Sequence, residues 1–234
     1  MLASHSSLRL LLVTAAAGTL RALGPGVPAQ AAPQVETSFA LPAARRDSSH
    51  SLERALAARR SVREFRTVAL DLQEVSQLLW AAQGAISRDG RRTAPSAGAL
   101  YPLEVYLAAG NVRGLAPGVY RYESGAHRLA LVAAGDQRSN IAAAALHQRW
   151  LADAAVVMVI TGVERRTTVK YGERGVRYVL LEAGHAAQNV LLEAVALGLG
   201  ATPVGAFSDA EVEKLVGARR GERALYLVPV GKPR

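Results

Sequence analysis

"RGVRYVLLEAGHAAQNVLLEAVALGLG", Arg174 to Gly200, is apolar on nearly every side for more than five turns of roughly 3.6 residues. A surface helix cannot sustain that pattern. The segment must be buried, either in the centre of the domain or in a subunit interface, and the rest of the chain folds around it. Upstream, "AAVVMVITG" from Ala154 to Gly162 is a continuous β-branched run suited to a central strand covered on both faces. "LEVYLAAG", "GVYRYES" and "HRLALVAAG" also read as strands, the last two joined as a hairpin through Ser124-Gly125, and "ALYLVPVG" is a final strand. Clustered, mostly antiparallel strands mixed with helices indicate an α+β fold.

The helical signals are equally local. Ser51 caps a short helix ending at Arg60. Asp71 and Glu74 have capping-box spacing at the head of "LDLQEVSQLLWAAQG", with Leu78, Leu79 and Ala82 on one face and Gly84 closing it. A further helix is expected from about Gln137 to Leu151, and Ser208 with Glu211 has the spacing of a second capping box. Residues 33–50, rich in Pro, Ser and charge without periodicity, read as a linker into a domain spanning 51–234. Residues 1–32 read as a targeting segment: a modest apolar run, "LRLLLVTAAAGTL", precedes a small-x-small site at Ala29-Gln30-Ala31. Export to an extracytoplasmic compartment and a cytoplasmic location both stay open. The apolar run is short for a spanning helix, and no stable membrane span is expected.

The chain has 234 residues, half of them hydrophobic, enough for one substantial core. A formal charge of +9 favours anionic ligands. There is no basic stripe interleaved with aromatics, no zinc-finger spacing and no RNP-like strand, so nucleic acid is not indicated. The absence of cysteine excludes disulfides, thiolate nucleophiles and thiolate metal ligands. Walker A, H-E-x-x-H and G-x-S-x-G motifs are missing, and no paired histidines suggest a metal. "GLGATPVG" follows a helix where a dinucleotide fingerprint must follow a strand, which excludes a Rossmann site. His185 reads as a hydrogen-bonded core histidine. Glu182 and Glu193 need partners if buried, with Arg174 and Arg177 near in sequence, while Trp80 and Trp150 read as packing residues able to wall an aromatic ligand.

Two stretches go beyond packing. "AARRSVREF", Ala57 to Phe65, gathers Arg59, Arg60, Ser61 and Arg63 at the end of a helix. That composition suits either a solvated helix end or a dianionic phosphate, which takes forked guanidinium donors and a hydroxyl. "RRTAPSAGALYP", Arg91 to Pro102, sets small residues between two prolines, so that backbone can approach something flat.

Taken together, "ARRSVREF", "GRRTAPSAGALYPLEVYL", "KYGERGVRYVLLEAGHAAQNVLLEAVALGLG" and "VGAFSD" resemble the nitroreductase family of FMN enzymes, and within it the SagB-type or ThcOx-type branch. The resemblance runs from about Ser51 to Gly231. It implies a central, mostly antiparallel sheet flanked by helices, and a homodimer built on long buried helices with FMN in sites lined by both subunits. It implies that Arg59, Arg60 and Ser61 meet the FMN phosphate and ribityl chain and that Arg63 points to the N1 and O2 edge of the ring. Pro95, Ser96 and Ala97 would pack on the isoalloxazine from the partner subunit, and a backbone N–H of Val204, Gly205 or Ala206 would face flavin N5. Lys232 and Arg234 stand where relatives place further phosphate-binding cations. No protein side chain need be catalytic, because flavin N5 carries the hydride in a ping-pong cycle. The donor would be NAD(P)H, with nitroaromatics or quinones as acceptors, or else a peptide azoline ring would be oxidised. A non-catalytic flavin-binding or flavin-handling protein is the alternative, and Tyr101, Trp150 and Tyr171 are candidate substrate contacts.

Overall fold

A computed structural model describes residues 38–234. The targeting reading of residues 1–32 and the first part of the linker lie outside the described residues. Among the described residues, seven strands form one sheet in the order β1-β4-β3-β2-β5-β7-β6. They are β1 (Ser38–Ala40), β2 (Leu103–Ala109), β3 (Gly118–Glu123), β4 (Arg128–Ala134), β5 (Val156–Gly162), β6 (Gly200–Ala201) and β7 (Arg223–Gly231). Every pairing is antiparallel. The helices are α1 (Leu52–Ala58), α2 (Leu72–Gln83), α3 (Arg138–Ala144), α4 (Glu164–Tyr171), α5 (Arg174–Ala196) and α6 (Asp209–Val216).

All seven residues of β5 are buried, and the two-residue period of a strand explains how. Val156, Met158 and Ile160 face a core made with Val105 and Leu107 of β2, α2, and Val179, Ala183, Ala186 and Val190 of α5. Val157 and Val159 face the opposite side, against Ile141 of α3 and Val212 and Val216 of α6. The long apolar helix α5 is therefore buried along one side only. Leu180 and Leu181 on its other side are 48% and 54% exposed.

Several local expectations hold. The Asp71 carboxylate accepts from Glu74 N–H at 2.7 Å, and Glu74 accepts from Asp71 N–H at 2.9 Å, which closes the capping box of α2. Gly84 caps its end with an ordinary φ of −64°. A side chain there would collide with the Trp80 ring, so close approach rather than a left-handed turn requires glycine.

Other expectations are corrected. β1 lies within the stretch read as a linker and pairs with β4 at Phe39↔Leu129. The β3–β4 connection has four residues, Ser124 to His127, instead of a two-residue turn. His127 adopts φ +47° and is held by the Tyr122 hydroxyl and Ser76 Oγ, each 2.8 Å from a ring nitrogen. The helix expected over 137–151 stops at Ala144, passes through left-handed Leu146 and His147, and resumes as a 3-10 turn, Arg149–Asp153. An unbroken helix would carry Leu151 about 15 Å along the axis from Ile141. The break folds both into one cluster beneath the sheet. Ser208 precedes α6 without a side-chain capping bond, so the second capping box does not form, and its own N–H donates to Ala144 O at 2.9 Å. Among the described residues no helix is long and apolar enough to cross a membrane.

Candidate functional site

The chain leaves α1 at Arg59 and runs between β6 and its own C-terminal segment. Ser61 bridges Ala201 in parallel, with Val62 N–H donating to Ala201 O at 3.1 Å. Phe65 is buried and bridges Pro233, while Arg66 N–H donates to Lys232 O at 2.9 Å and Arg234 N–H to Glu64 O at 3.2 Å. Gly200 is needed where the strands meet, since a Cβ there would lie 2.8 Å from Val62 Cβ. The backbone of 61–66 is thus zipped on both sides, yet its polar side chains face outward. Arg60, Ser61 and Arg63 are exposed and Arg59 is half-buried. Among the described residues none of the three arginines has a carboxylate partner. Arg63 lies over the Trp150 ring, 5.8 Å from its centroid. A pocket of about 170 Å³ opens here, lined by Arg60, Val62, Ala201 and Pro233 among others.

The turn after β6 borders this segment. Val204 and Leu227 exchange backbone hydrogen bonds, N–H to O at 2.8 Å and 3.0 Å. In a planar trans peptide the C=O and the following N–H point in opposite directions. The Val204 carbonyl points to β7, so Gly205 N–H points away from the sheet. Val204 N–H is committed to Leu227, which leaves Gly205 and Ala206 as the donors this turn can offer; both residues are exposed.

The C-terminal cations behave differently. Lys232 Nζ pairs with the α2 capping residue Glu74, a carboxylate that faces it across the sheet edge. That partner removes Lys232 from the set of free anion ligands. Arg234 is exposed, and among the described residues its side chain is engaged through Nε alone, on Phe65 O at 3.2 Å.

Pro95, Ser96 and Ala97 are not part of this neighbourhood. Their loop packs on the first half of α5, where Ala97 N–H donates to Glu182 Oε1 at 2.8 Å and Ser96 Oγ accepts from Tyr101 N–H at 2.8 Å. Burial pushes the Glu182 carboxyl above its ordinary range, against the opposing pull of the Ala97 N–H. Gly98 follows with φ +62°, and a Cβ on it would lie 2.8 Å from the Tyr171 hydroxyl and 2.9 Å from Lys170 Nζ. Arg92 turns inward to support the loop, donating to Gln83 Oε1 at 2.9 Å with its guanidinium 4.8 Å from the Tyr101 centroid. From Glu182 to Ala196, the end of α5, the helix rises about 21 Å. The Pro95 loop therefore meets α5 near its middle, whereas the pocket at Arg60 is lined by Leu191 and Val195 from its last third.

Three side-chain readings change. Glu182 is satisfied by the Ala97 backbone rather than by Arg174 or Arg177. Glu193 is half-buried and, like Glu182, pushed up by burial, with Gln77 and Arg45 opposing. His185 is exposed rather than a core histidine. Lys170 and Gln148, whose Nε2 donates to Ala206 O at 3.2 Å, were not singled out from the sequence, since no motif marks them. A wider groove of about 740 Å³ lies elsewhere, among Arg45, His50, Trp80 and Glu193, and includes none of the expected cofactor residues.

The nitroreductase family model matches residues 56–232, which takes in the arginine segment, both loops and the last strand. The chain belongs to the nitroreductase family. It is 44% identical over 181 residues, 77% of this chain and 90% of the other, to the Methanocaldococcus jannaschii protein named "Putative nitroreductase MJ1384". The crystal structure of "a putative nitroreductase" from Anabaena variabilis superposes with a TM-score of 0.75 at 28% identity, covering 85% of this chain; this chain spans 42% of that one. The Escherichia coli microcin synthetase McbBCD complex with truncated pro-MccB17 bound contains a chain similar at 27% identity and TM-score 0.65, over 73% of this chain and 67% of that one. As a nitroreductase-family chain, this protein is an oxidoreductase with the mixed helix and antiparallel-sheet fold of its structural neighbours.

Proposed function

We propose that this nitroreductase-family chain is an FMN-dependent oxidoreductase of the SagB type, acting as a homodimer in a ping-pong cycle. The observation that carries the reading is the segment Arg59 to Arg63: three guanidiniums without carboxylate partners and one hydroxyl, on a backbone fixed between β6 and the chain's end. Holding unpaired like charges together costs energy unless an anion joins them, and a phosphate monoester fits that donor set. Beside it, Gly205 N–H is aimed outward from a turn of small residues, leaving room for a flat ring. The residues fit FMN, with Arg59, Arg60 and Ser61 at the phosphate, Arg63 toward N1 and O2, and Gly205 or Ala206 toward N5. Arg234 remains able to join the phosphate, whereas Lys232 acts through Glu74. When bound, FMN supplies a two-electron centre that accepts hydride at N5 and is discharged by a second substrate.

The homodimer is inferred from an exposed apolar face. The outward side of α5 carries exposed Leu180 and Leu181 around Gly184, where nothing lies within 4 Å of an added Cβ. A second copy packed across this face would take these apolar side chains out of water. The SagB-type assignment is supported by the likeness to a chain of the microcin synthetase complex, which holds a pro-peptide. Lys170 Nζ and the Tyr171 hydroxyl, set against Gly98, are polar groups at the Pro95–Ala97 loop able to meet a substrate such as a peptide azoline.

The test is the visible spectrum of the purified protein, before and after anaerobic addition of NADH or NADPH, then of an azoline-containing peptide. A flavin band bleached by the peptide supports the SagB-type reading. Bleaching by NAD(P)H alone redirects it to a general nitroreductase. A band that only dithionite bleaches supports a flavin-handling protein, and no band after reconstitution with FMN overturns the proposal.

A further inference from the structure

Between β4 and β5 the chain makes an expensive excursion. Leu146 and His147 occupy left-handed φ values of +55° and +57° in succession, although neither is glycine and both are exposed. Such strain persists only where neighbouring contacts hold it. The contacts that hold it here lead to the candidate flavin site on two separate arms. Gln148 Nε2 donates to Ala145 O at 3.0 Å within its own turn and to Ala206 O at 3.2 Å across 58 residues of sequence. Two residues on, the half-buried Trp150 presents its ring to the Arg63 guanidinium.

The Ala206 contact matters because of which peptide it fixes. The Val204–Gly205 peptide is held by Leu227 N–H on the Val204 carbonyl. The Ala206–Phe207 peptide is held by Gln148 on the Ala206 carbonyl. The one peptide between them, Gly205–Ala206, is suspended between two pinned planes, and Gly205 would otherwise give it wide freedom. Ser208 N–H on Ala144 O closes the far side of the same turn onto α3.

We propose that the Leu146–Trp150 segment is a positioning clamp: Gln148 fixes the turn whose N–H groups serve flavin N5, and Trp150 fixes the direction of Arg63. Gln148 is a positioning residue, since it acts through Ala206 and touches no reacting atom. The inference rests on the flavin reading above, but its first test does not need flavin. In the apoprotein, Gln148→Leu speeds amide hydrogen exchange at Val204 and Ser208 at least fivefold and leaves β5 amides and the melting temperature unchanged. In the FMN-loaded protein, the same variant binds FMN within threefold of the parent but forms the N5 sulfite adduct at least tenfold more weakly, and kcat falls with little change in KM. Trp150→Leu weakens FMN binding several-fold, and Trp150→Phe, which keeps a ring face, restores it. Unchanged exchange and unchanged sulfite affinity in Gln148→Leu overturn the clamp while leaving the flavin reading intact. Failure of the parent protein to take up FMN, with the exchange effect present, overturns the flavin reading and reduces the clamp to a brace of the turn. Should Gln148→Leu not fold, Gln148→Glu, which sets a carboxylate against the Ala206 carbonyl, is read by the same measurements and must show the same losses.

Discussion

The β2–β5–β7 centre of the sheet and the rim at Arg59–Arg63 belong to one chain but are held by opposite means. In the centre every residue of β5 is buried, paired on both edges and covered on both faces. Its stability comes from apolar area removed from water and from close packing, which add up over many contacts. At the rim the backbone is fastened by a few hydrogen bonds and one buried side chain, Phe65, while Arg59, Arg60 and Arg63 have no carboxylate partner among the described residues and Arg63 rests on the Trp150 ring. The lesson is a division of labour: the centre is packed and paired within the chain, and the rim carries guanidinium charge that no carboxylate among the described residues neutralises. Substitutions should therefore separate cleanly into those that unfold the protein and those that empty the site.

The harshest trial of that separation is Ile160→Ala, at the middle of β5 with no exposure. The loss of buried volume should cost about 2–5 kcal/mol, read as a drop in urea midpoint, with flavin retained in whatever fraction remains folded. A site that fails before the fold melts would break the comparison. Next comes Arg60→Ala, expected to weaken FMN binding about ten- to a hundredfold, or roughly 1.4–2.8 kcal/mol, through loss of a charge-assisted donor. Its urea midpoint should stay at the parent value, and a large shift there would show that the rim carries stability after all. Asp71→Ala probes the border between the two regions, because the capping box joins Asp71 to Glu74 of α2, and Glu74 also pairs with Lys232. The expected cost is about 1 kcal/mol, measured by thermal unfolding, with FMN affinity unchanged. Loss of FMN binding in that variant would mean that Lys232 serves the phosphate despite its partner.

The smallest effect is a pH dependence. Burial raises the Glu182 carboxyl in the folded state, so the native protein holds that proton more tightly than the unfolded chain. Stability from this group is greatest at low pH and declines as pH rises from the ordinary glutamate value to the raised one. Glu182→Gln keeps an acceptor for Ala97 N–H and should flatten that part of the stability curve, so that variant and parent diverge with rising pH across the window and run parallel outside it. Glu193 contributes with the same sign and Asp136, lowered by Arg138, with the opposite one, so the comparison must be made variant against parent.

The sequence by itself determined the elements whose signals are local. The β-branched run of β5, the alternating strands beside it, the length of α5 and the Asp71–Glu74 capping box each follow from periodicity or spacing within a few residues, and the four stretches from "ARRSVREF" to "VGAFSD" carried the family. What only the tertiary structure decided depends on partners far away in the chain. Lys232 looked like a free cation until Glu74, 158 residues earlier, was placed against it. The helix expected over 137–151 breaks at Leu146 because burying Ile141 and Leu151 in one cluster outweighs the helix propensity of the intervening alanines. Gln148 carries no motif and gains its meaning from Ala206 alone. Periodicity reports which face of an element is apolar; it does not report which distant polar atom a side chain will meet. Exposed cations and small-residue turns are legible as composition, but whether they are satisfied, paired or left open for a ligand is settled only when the sheet brings residues 59–66, 200–206 and 227–234 together.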